Sequence, residues 1–204
     1  IAGVDTRRLT RILRETGADH RIDWRDYAAR KTPEFLAINP AGQVPSLQTD
    51  DGQMVHETAA ICLFLADRHP EAGLAPGLTD PARSDFLQWM FYLASTLHMG
   101  LNLHADAKSH WLADDPAGAV LTERADVYLG TVLDRIERAL AAKGPYLLGG
   151  RVTAADHYLL MLASWTRFRN SRAADRPALR RFMDLMLDRP AVREVLEIEK
   201  LSAP

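Results

Sequence analysis

Chemistry in this chain would have to come from a few polar residues at places where the backbone itself is exposed. Glu57 and Thr58 open an apolar run, Ala59-Ala60-Ile61-Cys62-Leu63-Phe64-Leu65, that reads as a helix. The unpaired N–H groups and positive dipole end of such a start attract an anion. The same two residues could equally serve as a plain helix cap. Pro45 interrupts Val44-Pro45-Ser46-Leu47-Gln48, an otherwise strand-like run. Proline cannot donate to a ladder, so it marks a sheet edge or a special feature there. His98 follows Ser95 by one helical turn, so a hydroxyl and an imidazole share a face. Beside an apolar stripe, such a histidine is more often a core group. Thr153 and Asp156 fit Thr-x-x-Asp, a capping box with Asp in place of Glu, and are read as structural. The one cysteine, Cys62, lies among apolar helical neighbours and reads as an inert packing thiol.

The composition narrows what these residues can serve. The chain has 204 residues, enough for one large domain or two small ones. Lys and Arg total 25 against 27 Asp and Glu, a net charge of −2 that leaves no electrostatic footprint for nucleic acid or an anionic membrane. A single cysteine excludes an intrachain disulfide, a CxxC redox pair and a Cys-rich zinc site, and no metal is expected. No signal peptide is recognisable at Ile1-Ala2-Gly3-Val4, and no window has about 18 uninterrupted apolar residues, so a cytoplasmic location is expected.

The elements that must position these groups follow from periodicity. Residues 5–16 read as an amphipathic helix, with Leu9, Ile12 and Leu13 on one face and Gly17 ending it. His20 to Trp24 alternates weakly and reads as a short strand. Asn39-Pro40-Ala41-Gly42 is a turn-rich loop. Residues 44–48 and 53–55, joined through Asp50-Asp51-Gly52, read as a hairpin. A helix from Glu57 to Arg68 is stopped by Pro70. Beyond a linker containing Gly73, Pro76, Gly77 and Pro81, everything is helical in period: about 81–105, about 118–142, a helix opening at Thr153, then about 177–188 and 190–200. A mixed α/β unit thus precedes an all-α unit. A helix at the front of an α/β unit normally follows a strand, so the first strand is expected to be missing upstream of Ile1.

Taken in order, these pieces resemble the cytosolic glutathione S-transferases, and most closely the bacterial beta class. The stretch Phe35-Leu36-Ala37-Ile38-Asn39-Pro40-Ala41-Gly42-Gln43-Val44-Pro45-Ser46-Leu47 is similar to that family's asparagine-proline loop running into a cis-proline strand. His56-Glu57-Thr58-Ala59-Ala60-Ile61 resembles its γ-glutamyl-binding turn, and Ser95-Thr96-Leu97-His98 its substrate-facing serine and histidine. Gly149-Gly150-Arg151-Val152-Thr153-Ala154-Ala155-Asp156 resembles its helix-capping box.

The resemblance implies an α/β thioredoxin-like N-terminal domain (1–72) that binds glutathione, plus an all-α C-terminal helical domain (80–204) that lines the electrophile pocket. It implies a cis Val44–Pro45 bond that turns the Val44 N–H and C=O outward to pair with a bound peptide. Gln43, Val44, Pro45, Glu57 and Thr58 would bind glutathione, Thr58 taking its α-carboxylate and Glu57 its amine, while Arg30 would meet the glycyl carboxylate. Ser95, His98, Met99 and Trp165 would line the pocket, with Met99 where relatives often carry a lysine. The implied partners are glutathione as co-substrate, a small electrophile and a second copy of the chain. The chain departs from the pattern where beta-class enzymes place a cysteine and then a serine: Asp5 and Thr6 stand there. A carboxylate at Asp5 would raise a nearby thiol's pKa, so it must point away. Thr6, at the helix N-terminus, becomes the expected hydrogen-bond donor to the glutathione sulfur, with a residue upstream of Ile1 as the other possibility. Two further activities stay open: glutathione-dependent disulfide or peroxide reduction, and glutathione binding without catalysis.

Overall fold

The computed structural model describes residues 6–107, 112 and 114–198. The chain opens with α1, Thr6–Thr16, whose Leu9, Ile12 and Leu13 are buried as their spacing requires. Gly17 at φ 66° ends it. No strand forms over His20 to Trp24. A strand holds only by pairing, and no described residue pairs with that stretch. A one-turn 3-10 helix, Ala29–Lys31, and α2, Pro33–Ile38, follow; neither shows in the apolar periodicity. Thr32 caps α2 by accepting from the Phe35 N–H, and Pro33 at its first position is pre-set for a helix start.

The expected hairpin is present but short. Strand β1, Leu47–Gln48, pairs antiparallel with β2, Met54–Val55, in the register Leu47↔Val55 and Gln48↔Met54. Gly52 at φ 84° makes the turn, with its N–H donating to Thr49 O at 2.9 Å. Helix α3, Thr58–Arg68, then buries Ile61, Cys62, Leu65 and Ala66 against α1.

The long helix expected over about 81–105 is not uniform. It runs as α4, Arg83–Tyr92, then a π-helical segment, Leu93–His98, then α5, Met99–Asp106. Helix α6, Ala117–Lys143, lies along α5, where Gly100 permits the close approach: a Cβ there would stand 3.0 Å from Leu129 Cδ2. At the centre is α7, Ala154–Trp165, buried from Ala154 to Ser164. Helices α8, Pro177–Leu187, and α9, Pro190–Ile198, complete the described chain.

A helix apolar on every side belongs inside a core, and the Ala-Ala-Asp-His-Tyr-Leu-Leu-Met-Leu-Ala of α7 fits that placement. Its two charged-type residues are accommodated separately. Asp156 completes the capping box, accepting from the Thr153 N–H at 2.7 Å and hydroxyl at 2.9 Å, and also from the Leu147 N–H at 2.9 Å. Burial pushes its carboxyl up to about 6 despite those bonds. His157 is held neutral by burial, and its Nε2 stands 3.5 Å from Glu15 of α1. Burial would likewise push the Glu15 carboxyl up, but His157 and a two-point pair with Arg189, 2.8 Å at each oxygen, hold it at about 2. Through Glu15, α1 is thus clamped to α7 and to the start of α9.

Candidate functional site

The N-terminal half of the site is built from backbone. Asn39 is buried, and its carboxamide organises the loop ahead of β1: Nδ2 donates to Gln43 O at 2.8 Å and Ser46 Oγ at 3.3 Å, while Oδ1 accepts from Ala41 N–H at 3.1 Å. Gly42 sits at φ 62°, where a Cβ would be 3.1 Å from Arg30 O, so the loop is folded tightly onto the 3-10 turn. The Val44–Pro45 peptide bond is cis. Pro45 is buried, Val44 half-buried and Gln43 exposed. Among the described residues, no hydrogen bond is made by the Val44 N–H or C=O. A backbone donor and acceptor with no internal partner, at the end of a strand, are suited to pair with an extended peptide.

The hairpin register carries this edge to the start of α3. Just beyond the Leu47↔Val55 pair, Ser46 Oγ meets His56 Nδ1 at 3.2 Å, so Pro45 and Glu57 are the chain neighbours of that tie. Glu57 has φ 64° and ψ 118°, the one non-glycine at positive φ among the described residues. Such a conformation costs of order 1–3 kcal/mol and persists where surrounding structure enforces it, commonly at ligand sites. Glu57 is exposed, Thr58 is buried, and no side chain caps α3. The N–H groups of its first turn thus have no side-chain acceptor, and together with the Val44 edge they are suited to cradle a short peptide bearing a carboxylate. Arg30 has its guanidinium carbon 5.0 Å from the centre of the Tyr27 ring and its Nε buried without an acceptor.

The C-terminal half is made of side chains. His98 Nδ1 lies 3.2 Å from the Tyr158 hydroxyl, and its ring packs edge-on against Trp165 with centroids 5.4 Å apart. The Trp165 Nε1–H is buried without an acceptor. The structure thus brings His98 and Trp165 into contact. Ser95 does not join them through its hydroxyl, which donates to Phe91 O of its own helix at 2.8 Å. Met99 is half exposed, at 50%. Thr6 opens α1, but the expectation for its hydroxyl falls outside the described side chains, and Asp5 lies outside the described residues. Cys62 is fully buried in α3, as its neighbours imply.

Sequence reasoning does not single out Asn39, Ser46, His56 or Tyr158 by role. The hairpin spacing around Gly52 is the signal that could pair Ser46 with His56. Nothing in the sequence signals Tyr158, which lies 60 residues from His98. No group of three potential metal ligands converges among the described residues, and no described helix is long and apolar enough to cross a membrane.

Comparison with known proteins places this geometry in a family. Residues 6–68 match the glutathione S-transferase N-terminal domain and residues 119–197 the glutathione S-transferase C-terminal domain. Glutathione S-transferase GstA of Escherichia coli O157:H7 is 30% identical over 192 residues, which is 93% of this chain and 91% of that one. Among solved structures, the ternary complex of BphK, a bacterial GST, is similar at 31% identity with a TM-score of 0.85, covering 98% of this chain and 97% of that one. A sphingomonad glutathione S-transferase complexed with glutathione is similar at 30% identity with a TM-score of 0.83, covering 97% and 96%.

Proposed function

The chain belongs to the glutathione S-transferase family, and from that footing we propose that it is a transferase joining the glutathione thiolate to small apolar electrophiles. The observation that carries the reading is the pairing of a partnerless Val44 edge with an uncapped α3 start at Glu57, held at φ 64°. In this reading the Val44 backbone pairs with the cysteinyl backbone of glutathione, beside Gln43 and Pro45. Thr58 and the free N–H groups of α3 hold the γ-glutamyl α-carboxylate, and the Glu57 carboxylate holds its amine. Arg30 meets the glycyl carboxylate.

The chemical step needs a thiolate near neutral pH, and a free thiol has a pKa of about 8.5. Thr6, with the N-terminal dipole of α1 behind it, donates to the sulfur and lowers that value. The thiolate then attacks the electrophile: an S–C bond forms, and the displaced group leaves with the bonding pair or, in an addition, a proton enters from solvent. The protein contributes positioning and charge stabilisation and forms no covalent intermediate. Ser95, His98, Met99 and Trp165 line the electrophile side. The functional division falls at 1–72 and 80–204. A homodimer in the cytoplasm completes the reading, supported by the exposed Phe91, Val127 and Tyr128 on α4 and α6.

The test is retention of the full chain on immobilised glutathione with elution by free glutathione, followed by aryl-halide conjugation and disulfide-reduction assays. Failure to bind glutathione overturns the reading. Thr6→Ala is expected to raise the thiol pKa in the complex, read by ultraviolet thiolate absorbance; an unchanged value removes Thr6 from the mechanism.

A further inference from the structure

The two backbone halves of the cradle are joined by very little ladder. Strands β1 and β2 pair over two residues each, and the pairing ends at Leu47↔Val55. The next position on one side is Ser46, preceded by Pro45, which has no N–H to extend a ladder. The next position on the other is His56, followed by Glu57, whose φ of 64° turns the chain out of strand geometry. The last cross-strand tie is made by side chains: Ser46 Oγ and His56 Nδ1 are 3.2 Å apart. A carboxamide NH2 can only donate, so the Ser46 oxygen accepts from Asn39 Nδ2 at 3.3 Å; with one hydrogen and a second lone pair left, it donates to His56 Nδ1 or accepts from it according to the imidazole tautomer. Asn39, Ser46 and His56 form one chain of bonds from the loop before Pro45 to the residue before Glu57.

We infer that Ser46 and His56 are positioning residues for glutathione, fixing the spacing between the Val44 edge and the start of α3. The inference rests on the glutathione-binding reading above. Neither side chain need touch the ligand. Their effect is on two backbone features that must be engaged together, so loosening the tie weakens glutathione without altering the electrophile side, which is carried by the π-helical segment, the start of α5 and α7.

The test is calorimetric titration of the full chain with glutathione, alongside steady-state kinetics in which each substrate is varied. Ser46→Ala and His56→Ala are each expected to weaken glutathione binding roughly two- to tenfold, the equivalent of one net hydrogen bond. The rise should appear in KM for glutathione, with kcat at saturation and KM for the electrophile unchanged. The double variant should be no weaker than the poorer single variant, because both remove one interaction. His56→Asn, whose Oδ1 can take the place of Nδ1, should restore binding to within about twofold of the parent. Unchanged affinity in both alanine variants, additive losses, or no rescue by Asn would overturn the inference while the glutathione reading stands. A parent chain with no affinity for glutathione would overturn both.

Discussion

Replacing Glu15 with Gln probes how firmly α1, which presents Thr6 at its other end, is held to the helical part of the chain. The two Glu15 oxygens each accept from Arg189 at 2.8 Å, and the side chain is 16% exposed. Burial opposes ionisation here, but His157 and Arg189 outweigh it and bring the carboxyl from 4.5 to about 2. At about 1.4 kcal/mol per pH unit that corresponds to roughly 3 kcal/mol in favour of the charged form, and solvent screening at the partly exposed Arg189 reduces it to about 2 kcal/mol. Gln keeps the shape but can accept from only one of the two Arg189 donors, so Glu15→Gln is expected to cost about 2 kcal/mol at pH 7. In a chain of this size that lowers Tm by roughly 4–8 °C. The sign with pH is set by the lowered carboxyl: its contribution is complete above about 4.5 and is lost as pH falls through about 2. His157, whose pKa is lowered by burial and raised in part by Glu15, loses stability on protonation in both chains and loses more in the variant, which offsets part of the change. Urea unfolding of both chains between pH 7 and pH 3 measures the gap, which should narrow by pH 3. Equal stability at pH 7, or a gap independent of pH, would refute the clamp.

Two further substitutions test other joints of the same framework. Gly42→Ala forces a Cβ at φ 62° to within 3.1 Å of Arg30 O; a cost of about 1–3 kcal/mol is expected, read as a lower Tm together with weaker glutathione binding, whereas Gly52→Ala, with open space around it at φ 84°, should lower Tm and leave binding unchanged. Asp156→Asn keeps one acceptor oxygen and turns an NH2 donor toward either the Leu147 or the Thr153 N–H, and should cost about 1–3 kcal/mol by urea unfolding. Because burial raises the folded Asp156 carboxyl to about 6, its contribution to folding is greatest below about 3.8 and declines as pH rises through 6, so that deficit should shrink between pH 4 and pH 7.

What is legible in the sequence divides along physical lines. The α1, α3, α6 and α8 spans follow from apolar spacing, because each buries one stripe. The Thr153–Asp156 box is legible because both of its members lie within one turn. The hairpin is legible from Gly52, the turn residue that sets its register. The strand expected over His20–Trp24 fails because alternation describes a side-chain pattern, while a strand also needs an edge to pair with. Helix α2 escapes notice because six residues with Pro33 at the front hold too little periodicity to stand out. The Ser46–His56 and His98–Tyr158 contacts are not legible, since each is fixed by where separate elements meet.

The two halves of the site differ in the same way. On the proposed reading the glutathione half is made of backbone groups, which are left unpaired where a sheet edge, Pro, Gly or a helix start interrupts regular pairing. Pro45, Gly42 and the Glu57–Thr58 start are such interruptions, so their residue types alone announce the cradle. The electrophile half is made of side chains on one flank of a helix, and its reading depends on knowing the helical phase at every residue. Between Leu93 and His98 that phase is broken by the π-helical segment. One extra residue in a turn rotates everything after it by about 100° relative to an unbroken α-helix. A wheel drawn through 81–105 as one α-helix therefore misplaces the residues after the break relative to those before it; in the structure His98 meets Tyr158 and Trp165, the Ser95 hydroxyl donates to Phe91 O, and Met99 stands half exposed. On the proposed reading, the break sets the direction of the flank that carries Met99 relative to α4, and π-helical turns recur at functional sites.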